Sequence, residues 1–482
     1  MQFAYDRAET CRLGERRAVA LRSMRITRRT LFVGAGAGAL AVLLASCSPE
    51  KRDPVPVVPT PSPDPTAAPT PVGEIPAPIA FVRTSWATDP YALGARSVTP
   101  VGATSTERMA LAMPLIDRVF FAGEATSLDK PGSVAGAADE GRRVGAQVAA
   151  LAGDGERIAV VGAGIAGSAA AGALAEAGFD VTVIEARDRT GGRLATASNE
   201  EWPVPPQLGA WLFAPDDQAS AKLALVGVGS VDIAGRTGIG EDGETDAPRA
   251  DALQDAIDEA RAAQTDQTVS EALGEDPSEE LRAALAALTD LTGVDPETAS
   301  SWYAPAPPGD EFTALVSDVA PLIDDALGDA EVTLSTAVSN VTYDDEGVSL
   351  RFASGEAITV DRTIVTVPLG VLQAEAIEFD PPLPFEHRGA IAALETGQME
   401  SVWLRYEAPF WESSAGIWQM VAPLAEGEAA IRTWINLLPA TGQPILVGLV
   451  GGSAARALAE LSDDAVRELA MASLAPFAEP AE

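Results

Sequence analysis

The chain has 482 residues, which is long enough for two or more domains with substantial hydrophobic cores. Its 70 acidic residues outnumber its 33 lysines and arginines, and the net charge of −37 excludes the basic footprint that nucleic-acid binding requires. The two cysteines, Cys11 and Cys47, both precede the predicted folded part, so we expect no disulfide there.

Residues 1–46 have the composition of an export signal. Arg28 and Arg29 form a twin-arginine pattern, followed by an apolar stretch too short to span a bilayer. Leu44-Ala-Ser-Cys47 resembles a bacterial lipobox, in which Cys47 is lipidated after cleavage. We therefore predict export and a lipid anchor at the outer face of the bacterial cytoplasmic membrane. An uncleaved membrane anchor is the alternative, and Met24 is an alternative start.

Residues 47–78 are proline-rich, with threonine, serine, alanine and aspartate between the prolines. Such a composition cannot bury a core and favours an extended polyproline II conformation. At roughly 3.1 Å per residue, the segment could hold a domain up to about 90 Å from a membrane. We predict a tether.

One stretch has the order strand, glycine-rich turn, helix, strand and acid. Arg157–Val161 is rich in β-branched residues and predicts a buried parallel strand, and Val181–Ile184 predicts a second one. The turn between them carries G-x-G-x-x-G as Gly162, Gly164 and Gly167. These glycines are typical of a turn and a helix N-terminus that bind the pyrophosphate of a dinucleotide. Glu185 follows where a carboxylate accepts ribose hydroxyls, which disfavours NADP.

The next residues decide between FAD and NAD. Arg187-Asp-Arg-Thr-Gly-Gly-Arg193 resembles the R-x-G-G-R signature of the flavin-dependent amine oxidase superfamily, which includes monoamine, polyamine and L-amino-acid oxidases. The resemblance implies FAD, bound non-covalently because Ala95 stands where some members attach flavin through a cysteine. Besides the three glycines, the residues implied for FAD are Gly123, Glu124, Ser133, Val134, Ile165, Ala166, Glu185, Ala186, Arg187, Gly191, Gly192, Arg193, Leu208, Gly209, Ala210 and Val338.

Residues 79–153 resemble the end of that family rather than its beginning. Trp86–Ser97 resembles its tryptophan stretch and Arg118–Ser127 its closing F-A-G-E-A-T-S motif, yet in the family both follow the glycine-rich turn by several hundred residues. Val447–Phe477 resembles the strand and helix that normally lead into the tryptophan stretch. We therefore predict a circular permutation, which neighbouring surface termini permit. A separate accessory domain at residues 79–153 is the alternative.

The predicted fold class is α/β, with a Rossmann-like FAD-binding domain and a mixed α+β substrate domain. The FAD-binding domain is assigned residues 79–153, 154–210 and, for a β-hairpin layer and a strand, 331–375. The substrate domain is assigned a helical part, 211–330, and a sheet, 376–482. Helices are predicted at Asp251–Gln264, Ser278–Leu291 and Phe312–Leu327, and Glu331–Phe352 alternates like a hairpin.

The chemistry must come from a bound cofactor. His387, the single histidine, lies in a Glu-His-Arg turn that we interpret as a surface turn. Without a second histidine or a free mature cysteine, catalytic triads, cysteine nucleophiles and histidine or thiolate metal sites are excluded. The family resemblance implies hydride transfer from the carbon beside a neutral amine to flavin N5, reoxidation by O2 giving H2O2, and hydrolysis of the imine. The expected substrate is a small amine or amino acid.

Three residues are candidates for catalysis. Ser401 stands where the family has a lysine that positions a water near flavin N5, and Arg96 replaces the tyrosine of its G-S-Y-S motif. Trp434 lies in a Trp-Ile-Asn run that continues the resemblance. Arg96 near the flavin would suit an acidic substrate better than a polyamine. The aromatic residues that could line the site are Trp211, Trp302, Tyr303, Trp418 and Trp434.

Two other functions stay open at this stage. Loss of the family lysine favours a desaturase-like or dehydrogenase flavoprotein on the same fold. A lipoprotein that keeps the fold for binding, without turnover, is the second alternative. The particular amine, the oligomeric state and the physiological electron acceptor are not determined by the sequence.

Overall fold

The computed structural model describes residues 75–197, 200–240, 243–422 and 429–478. The predicted export signal, the lipobox and nearly all of the tether lie outside these residues. The strands are β1 Ala80–Arg83, β2 Arg96–Val98, β3 Val119–Phe121, β4 Arg157–Val161, β5 Asp180–Ile184, β6 Leu212–Phe213, β7 Ser230–Ala234, β8 Arg236–Gly240, β9 Gly243–Thr245, β10 Glu311–Leu315, β11 Glu331–Thr333, β12 Val338–Tyr343, β13 Val348–Phe352, β14 Ala357–Val360, β15 Arg362–Val365, β16 Glu378–Asp380, β17 Glu395–Gly397, β18 Met399–Arg405, β19 Ile417–Met420, β20 Thr433–Asn436 and β21 Ile445–Gly451.

The helices connect and cover these strands. They are α1 Ser105–Leu111, α2 Val134–Leu151, α3 Ile165–Glu176, α4 Asp217–Leu225, α5 Ala250–Arg261, α6 Val269–Ala272, α7 Glu279–Thr292, α8 Ala320–Leu327, α9 Leu369–Gln373, α10 Phe385–Ala393, α11 Leu438–Thr441, α12 Gly452–Ala459 and α13 Asp463–Ala478. Within the described ranges, none of these helices is both long and apolar enough to cross a bilayer.

The first layer is a five-stranded parallel sheet in the order β11-β5-β4-β15-β3. Alternate residues of β4 belong to two different cores. Ile158 and Val160 pack into a cluster that includes residues of α2 and α3, and Ala159 and Val161 pack toward a second sheet. Both faces are therefore buried, as apolar parallel strands require. The Rossmann-like prediction is confirmed.

Helices α2 and α3 pack closely because both carry small residues. A Cβ atom on Gly141 of α2 would lie 2.1 Å from the carbonyl oxygen of Ala166 in α3. In the same way, a Cβ on Gly167 would lie 1.9 Å from the carbonyl oxygen of Gly162. Neither position has room for a larger residue, so these glycines let the helices sit against each other and against the turn.

The second layer is a four-stranded sheet in the order β14-β13-β12-β16. Strands β12 and β13 form the antiparallel hairpin that the sequence predicts. The first residues of the predicted hairpin behave differently, because β11 joins the parallel sheet beside β5. Strand β16 pairs with β12, so residues 378–380, assigned from sequence to the substrate domain, belong to the hairpin layer.

The third layer is a seven-stranded sheet in the order β1-β18-β21-β20-β19-β8-β9. Helix α7 packs against one face, where the carboxylate of Asp290 accepts hydrogen bonds from Thr433 Oγ1 at 2.8 Å and from the Gly451 amide at 3.2 Å. The other face buries Trp418 and Trp434 together with residues of α12 and α13.

Residues 79–153 do not form a domain of their own. Strand β1 pairs with β18, β2 with β17 and β3 with β15, so each is completed by a distant part of the chain. The alternative of an accessory domain is therefore wrong. Strand β1 also lies in the seven-stranded sheet rather than in the FAD-binding part to which the sequence analysis assigned it.

The helices predicted in the acidic middle of the chain are partly confirmed. Helices α5 and α7 form within two or three residues of the predicted bounds. The predicted helix Phe312–Leu327 is wrong in its first half, which is strand β10 between β6 and β7. Phe312 and Leu315 are buried in the core there, and Pro321 in the first turn of α8 marks the true helix start.

The interpretation of His387 as a surface residue is wrong. It lies in α10, which packs against α1, and only 3% of its surface is exposed. Its ring contacts that of Phe121 with centroids 5.3 Å apart, and Nε2 lies 2.8 Å from the Met113 carbonyl oxygen. Burial lowers the pKa of His387. The local Glu-His-Arg pattern could not reveal that this side of the turn faces a neighbouring helix.

Candidate active site

A cavity of about 650 Å³ lies where the five-stranded sheet, the N-termini of α2 and α3, and the seven-stranded sheet meet. This volume is in the range of sites for small molecules and cofactors. Its nucleotide region is lined by Gly162, Gly164, Ile165, Ala166, Glu185, Ala186, Arg187 and Val338. Its sheet region is lined by Trp211, Leu212, Phe213, Leu291, Thr292, Met399, Ser401 and Leu449.

The residues that the sequence assigned to FAD line this cavity, with the exception of Gly167. They come from six separate segments of the chain, which the fold brings together: 123–124, 133–134, 162–166, 185–193, 208–210 and 338. Gly167 is buried beneath the turn, where it allows α3 to pack closely against the carbonyl of Gly162. Its role is that of the third glycine of the motif, which packs the helix rather than touching the ligand.

Gly164 shows that the nucleotide region is shaped for a ligand. Its φ of −74° is open to any residue, and the nearest protein atom to an added Cβ would be the Gly191 carbonyl oxygen at 3.9 Å. Neither backbone strain nor protein packing therefore requires glycine at this position. A ligand that approaches the backbone does require it, as a pyrophosphate does in glycine-rich turns. The residues present fit a dinucleotide cofactor.

The carboxylate of Glu185 is held by backbone amides on both sides. It accepts hydrogen bonds from the Ala163 amide at 2.7 Å and from the Arg187 amide at 2.8 Å. The first of these bonds ties the end of β5 to the glycine-rich turn. Glu185 therefore shapes the turn as well as lining the place where the sequence predicts a ribose.

A pair that the sequence analysis missed closes the nucleotide region. The guanidinium of Arg187 makes two hydrogen bonds to the carboxylate of Asp89, at 2.7 and 2.6 Å. It also lies over the rings of Trp86 and Tyr91, 5.8 and 5.4 Å from their centroids. Asp89 lies in the tryptophan stretch that the sequence analysis quoted, but its partner is 98 residues away and no local pattern joins them.

Glu124 links the closing motif to the R-x-G-G-R run. Its carboxylate accepts hydrogen bonds from the Ser97 amide at 3.1 Å, from Ser97 Oγ at 2.6 Å and from Arg193 Nη1 at 3.0 Å. Arg108 adds a hydrogen bond of 2.7 Å to Ser97 Oγ. Burial opposes ionisation of Glu124, but Arg193, Ser97 and Arg108 together hold its pKa below the ordinary value. Glu124 is thus a buried carboxylate whose charge is balanced by Arg193 and whose oxygens already accept hydrogen bonds from the protein.

The sheet region is mainly apolar. Ser401 on β18 pairs with Leu449 on β21, and both line the cavity together with Met399. The end of α7 supplies Leu291 and Thr292 on the facing side. The structure therefore brings Ser401, a sequence-predicted candidate for catalysis, to the cavity wall.

The sheet region also has an acidic residue, Glu400, that was not predicted from the sequence. The buried Glu400 accepts hydrogen bonds from Thr84 Oγ1 and, at 2.9 Å, from the Ala87 amide. Thr84 Oγ1 in turn accepts a hydrogen bond of 2.8 Å from the Ser401 amide. Burial raises the pKa of Glu400. The cluster anchors the turn that carries Trp86 to strand β18.

Four of the five aromatic residues proposed for the site lie elsewhere. Trp434 is fully buried on the far face of the seven-stranded sheet, where its Nε1 donates to the Ile431 carbonyl at 3.0 Å. Trp418 lies in the same core, while Trp302 and Tyr303 are on the surface. The assignment of Trp434 to catalysis is therefore wrong, because the pleat of β20 turns its side chain away from the cavity. Trp211 does line the cavity.

Comparison with known proteins identifies the family. The model of the flavin containing amine oxidoreductases matches residues 69–149 and 243–481, about two thirds of the chain. The chain belongs to this family. A second model, the NAD(P)-binding Rossmann-like domain, matches residues 160–224.

Curated relatives and solved structures agree with the family. Polyamine oxidase 4 of Oryza sativa subsp. japonica is 28% identical over 346 residues, covering 64% of this chain and 69% of its own. The probable polyamine oxidase 4 of Arabidopsis thaliana is 29% identical over 345 residues, covering 64% and 68%. A putrescine oxidase bound to putrescine (21% identity, TM-score 0.55) covers 67% of this chain and 82% of its own. Cyclohexylamine oxidase from Brevibacterium oxydans IH-35A (23%, TM-score 0.54) covers 68% and 83%. At such identities the structures establish the fold.

This family member is a flavin-dependent oxidoreductase with FAD as its cofactor. The glycine-rich turn, Glu185 and the Glu124–Arg193 pair would hold it in the nucleotide region and along the cavity. The N-terminus of α2 at Ser133 and Val134 also lines the cavity. Its partial positive charge would favour negative charge on the flavin ring.

Proposed function

We propose that this protein oxidises a small primary or secondary amine, with dioxygen as the final electron acceptor and hydrogen peroxide as a product. The observation that carries the proposal is the continuity of one cavity from the glycine-lined nucleotide region to the apolar sheet region. The apolar sheet region opens onto the nucleotide region, so it can hold a small organic molecule against the flavin. The relatives are named for polyamines, putrescine and cyclohexylamine, all of which are amines.

The protein's own contribution is to select and orient the amine. The walls formed by Leu291, Met399 and Leu449 are apolar, so an uncharged amine enters them at lower cost than an ammonium ion. These walls also exclude water, which strengthens electrostatic interactions inside the chamber. Trp211 adds a rigid aromatic surface against which a substrate can pack.

When bound, FAD would supply the two-electron acceptor for oxidation of the carbon beside the amine nitrogen, and dioxygen would then take up both electrons and two protons as hydrogen peroxide. The resulting imine takes up water and divides into a carbonyl compound and ammonia or a smaller amine. No residue of the sheet region that the structure describes needs to act as a nucleophile, which agrees with a wall made mainly of hydrocarbon.

The visible spectrum of the purified protein tests this proposal. It is recorded without oxygen before and after addition of benzylamine, putrescine, cyclohexylamine and the common amino acids. Bleaching of the flavin bands by one compound, with their return and peroxide formation in air, is the expected result. A flavin that is bleached but not restored by air would favour a dehydrogenase. A flavin that no compound bleaches would contradict amine oxidation.

We propose, on the sequence alone, that the protein is exported and anchored through Cys47. The support is the twin-arginine pattern, the lipobox and the proline-rich tether. In a bacterial host, the protein should then fractionate with membranes, and Cys47→Ser should release it into the soluble fraction. A wild-type protein found in the cytosol would contradict the proposal.

We also propose that the chain is circularly permuted relative to the family. Two observations support this. Ile75 and Phe477, near the two ends of the described chain, pack against the same apolar cluster. Residues 79–153 also take part in three different sheets. A rearranged chain, with residues 75–151 joined after Ala478 by a short glycine-serine linker, should fold and retain flavin, whereas a rearranged chain that does neither would contradict the permutation.

A further inference from the structure

Arg96 is held at the boundary between the FAD-binding part and the sheet region. Its strand β2 pairs with β17, directly before the strand that carries Ser401. The guanidinium reaches the Pro131 carbonyl at 3.3 Å and the Thr292 carbonyl at 3.5 Å, and both are long hydrogen bonds. Gly132 leaves room for this group, since a Cβ there would lie 2.4 Å from Arg96 Nε.

The hydrogen-bonding capacity of this guanidinium is only partly used. Nε of Arg96 is buried and has no hydrogen-bond partner among the residues that the structure describes. Arg96 also lines the cavity. A buried donor without a partner carries a desolvation cost that a ligand acceptor would remove.

The other arginines of the cavity wall are neutralised. Arg187 pairs with Asp89 at 2.6 Å, and Arg193 pairs with Glu124 at 3.0 Å. Among the described residues, Arg96 makes no ion pair with a carboxylate. Glu124 acts electrostatically on Arg96, but its carboxylate is already bound to Arg193 and Ser97.

The consequence is that the positive charge of Arg96 lies at the cavity wall without a carboxylate partner among the described residues. Burial lowers the pKa of Arg96, Glu124 partly offsets this, and Arg193 adds to it. An arginine nevertheless stays protonated at physiological pH. A half-buried cation without a carboxylate partner is stabilised when an anion binds to it.

The acids of the cavity wall give no site for a second ammonium group. Glu124 is bound to Arg193, Glu185 is bound by backbone amides and Glu400 is bound to Thr84 and Ala87. A diamine in the sheet region would therefore find no free carboxylate for its second charge among the described lining residues, whereas the same cavity wall carries the cation of Arg96.

We infer that Arg96 binds a carboxylate group on the substrate, so that the amine oxidised here is an amino acid or another amine bearing a carboxylate rather than a diamine or polyamine. This rests on the proposed amine oxidation. The planar guanidinium can offer coplanar N–H donors to a carboxylate, whereas the ammonium group of a lysine cannot. An incoming carboxylate would satisfy Nε and neutralise the charge in one step.

Equilibrium binding of benzoate and of its uncharged analogue benzamide to the FAD-loaded protein tests the inference. Binding is followed by the change in the flavin absorbance bands, without any turnover. Benzoate should bind at least tenfold more tightly than benzamide, and Arg96→Gln should remove that preference. Arg96→Lys should keep part of it. Arg142→Gln, an exposed arginine on α2, is the matched control and should bind benzoate like the wild type.

The outcomes separate this inference from the function on which it rests. Equal benzoate affinity in wild type and Arg96→Gln, at equal flavin content, would overturn the carboxylate site while leaving amine oxidation intact. Loss of FAD from Arg96→Gln would assign the guanidinium to the cofactor and overturn it as well. A putrescine-bleached flavin in the wild type, unaffected by Arg96→Gln, would also contradict it. If no amine bleaches the flavin, the proposed function fails whatever benzoate does.

Discussion

The two regions of the cavity are built in different ways. The nucleotide region takes its glycines, its helix N-terminus and Glu185 from one short segment, residues 162–185. The sheet region takes its wall from β18, β21 and the end of α7, which are far apart in the chain. The nucleotide region would contact its ligand mainly with backbone, whereas the sheet region would contact it mainly with side chains. The first therefore depends on glycine spacing that can be recognised in the sequence, whereas the second depends on side chains that only the folded chain brings together.

The largest expected effect tests whether Trp434 belongs to the core or to the site. Trp434→Ala should lower the free energy of unfolding by about 3 to 5 kcal/mol, because it empties a buried aromatic position. Trp434→Phe keeps most of the packing and should cost less. Since the side chain faces away from the cavity, kcat and KM of folded Trp434→Phe should match the wild type. Denaturant unfolding measures the stability and steady-state kinetics measure kcat and KM. A tenfold loss of kcat in Trp434→Phe would show that Trp434 does act in the active site.

A smaller effect concerns the attachment of α7 to the seven-stranded sheet. Burial raises the pKa of Asp290 to about 7, with Thr433, the Gly451 amide and Arg432 opposing the shift. The folded protein thus holds a proton that the unfolded chain has released, so this group's contribution to stability falls as the pH rises from about 4 to about 7. Between pH 5 and pH 7 the loss should be about 2 kcal/mol.

Asp290→Asn tests this pH dependence, because asparagine imitates the protonated acid and does not titrate. The free energy of unfolding is measured for this variant and for the wild type at pH 5, 6 and 7. The value for the variant should rise relative to that of the wild type as the pH increases. Thr433→Val, which removes a partner but no titrating group, serves as the control. Parallel pH profiles for Asp290→Asn and wild type would show that the carboxyl is already ionised at pH 5.

The smallest effect tests the nucleotide region. Gly164→Ala meets no protein atom closer than 3.9 Å, so the stability of the cofactor-free protein should not change. The added methyl group occupies the approach of the pyrophosphate, so the Kd for FAD should rise about tenfold, or about 1.4 kcal/mol. Fluorescence titration with FAD measures it. Gly389→Ala, also in open space but at an exposed position of α10, should leave the Kd unchanged. An unchanged Kd in Gly164→Ala would show that the diphosphate does not bind against Gly164.

Much of the nucleotide region could be predicted because its interactions are local. Strand β4, the three glycines and Glu185 follow one another within a single supersecondary unit, and the structure keeps them in that role. The pairing of Arg187 with Asp89 could not be predicted, because it joins segments that are 98 residues apart. The face of β20 on which Trp434 lies could not be predicted either, because a shift of one residue exchanges the two faces of a strand.

The sequence by itself determined that the chain has a dinucleotide-binding unit, that this unit carries the flavin signature, and that the tryptophan stretch and the closing motif precede it. These are properties of short segments, in which residue type and spacing are enough. Only the tertiary structure decided that His387 is buried, that Trp434 lies behind the sheet and that Arg96 has no acidic partner among the described residues. Burial and charge balance depend on every segment packed around a side chain, and neighbours in the chain are a minority of those.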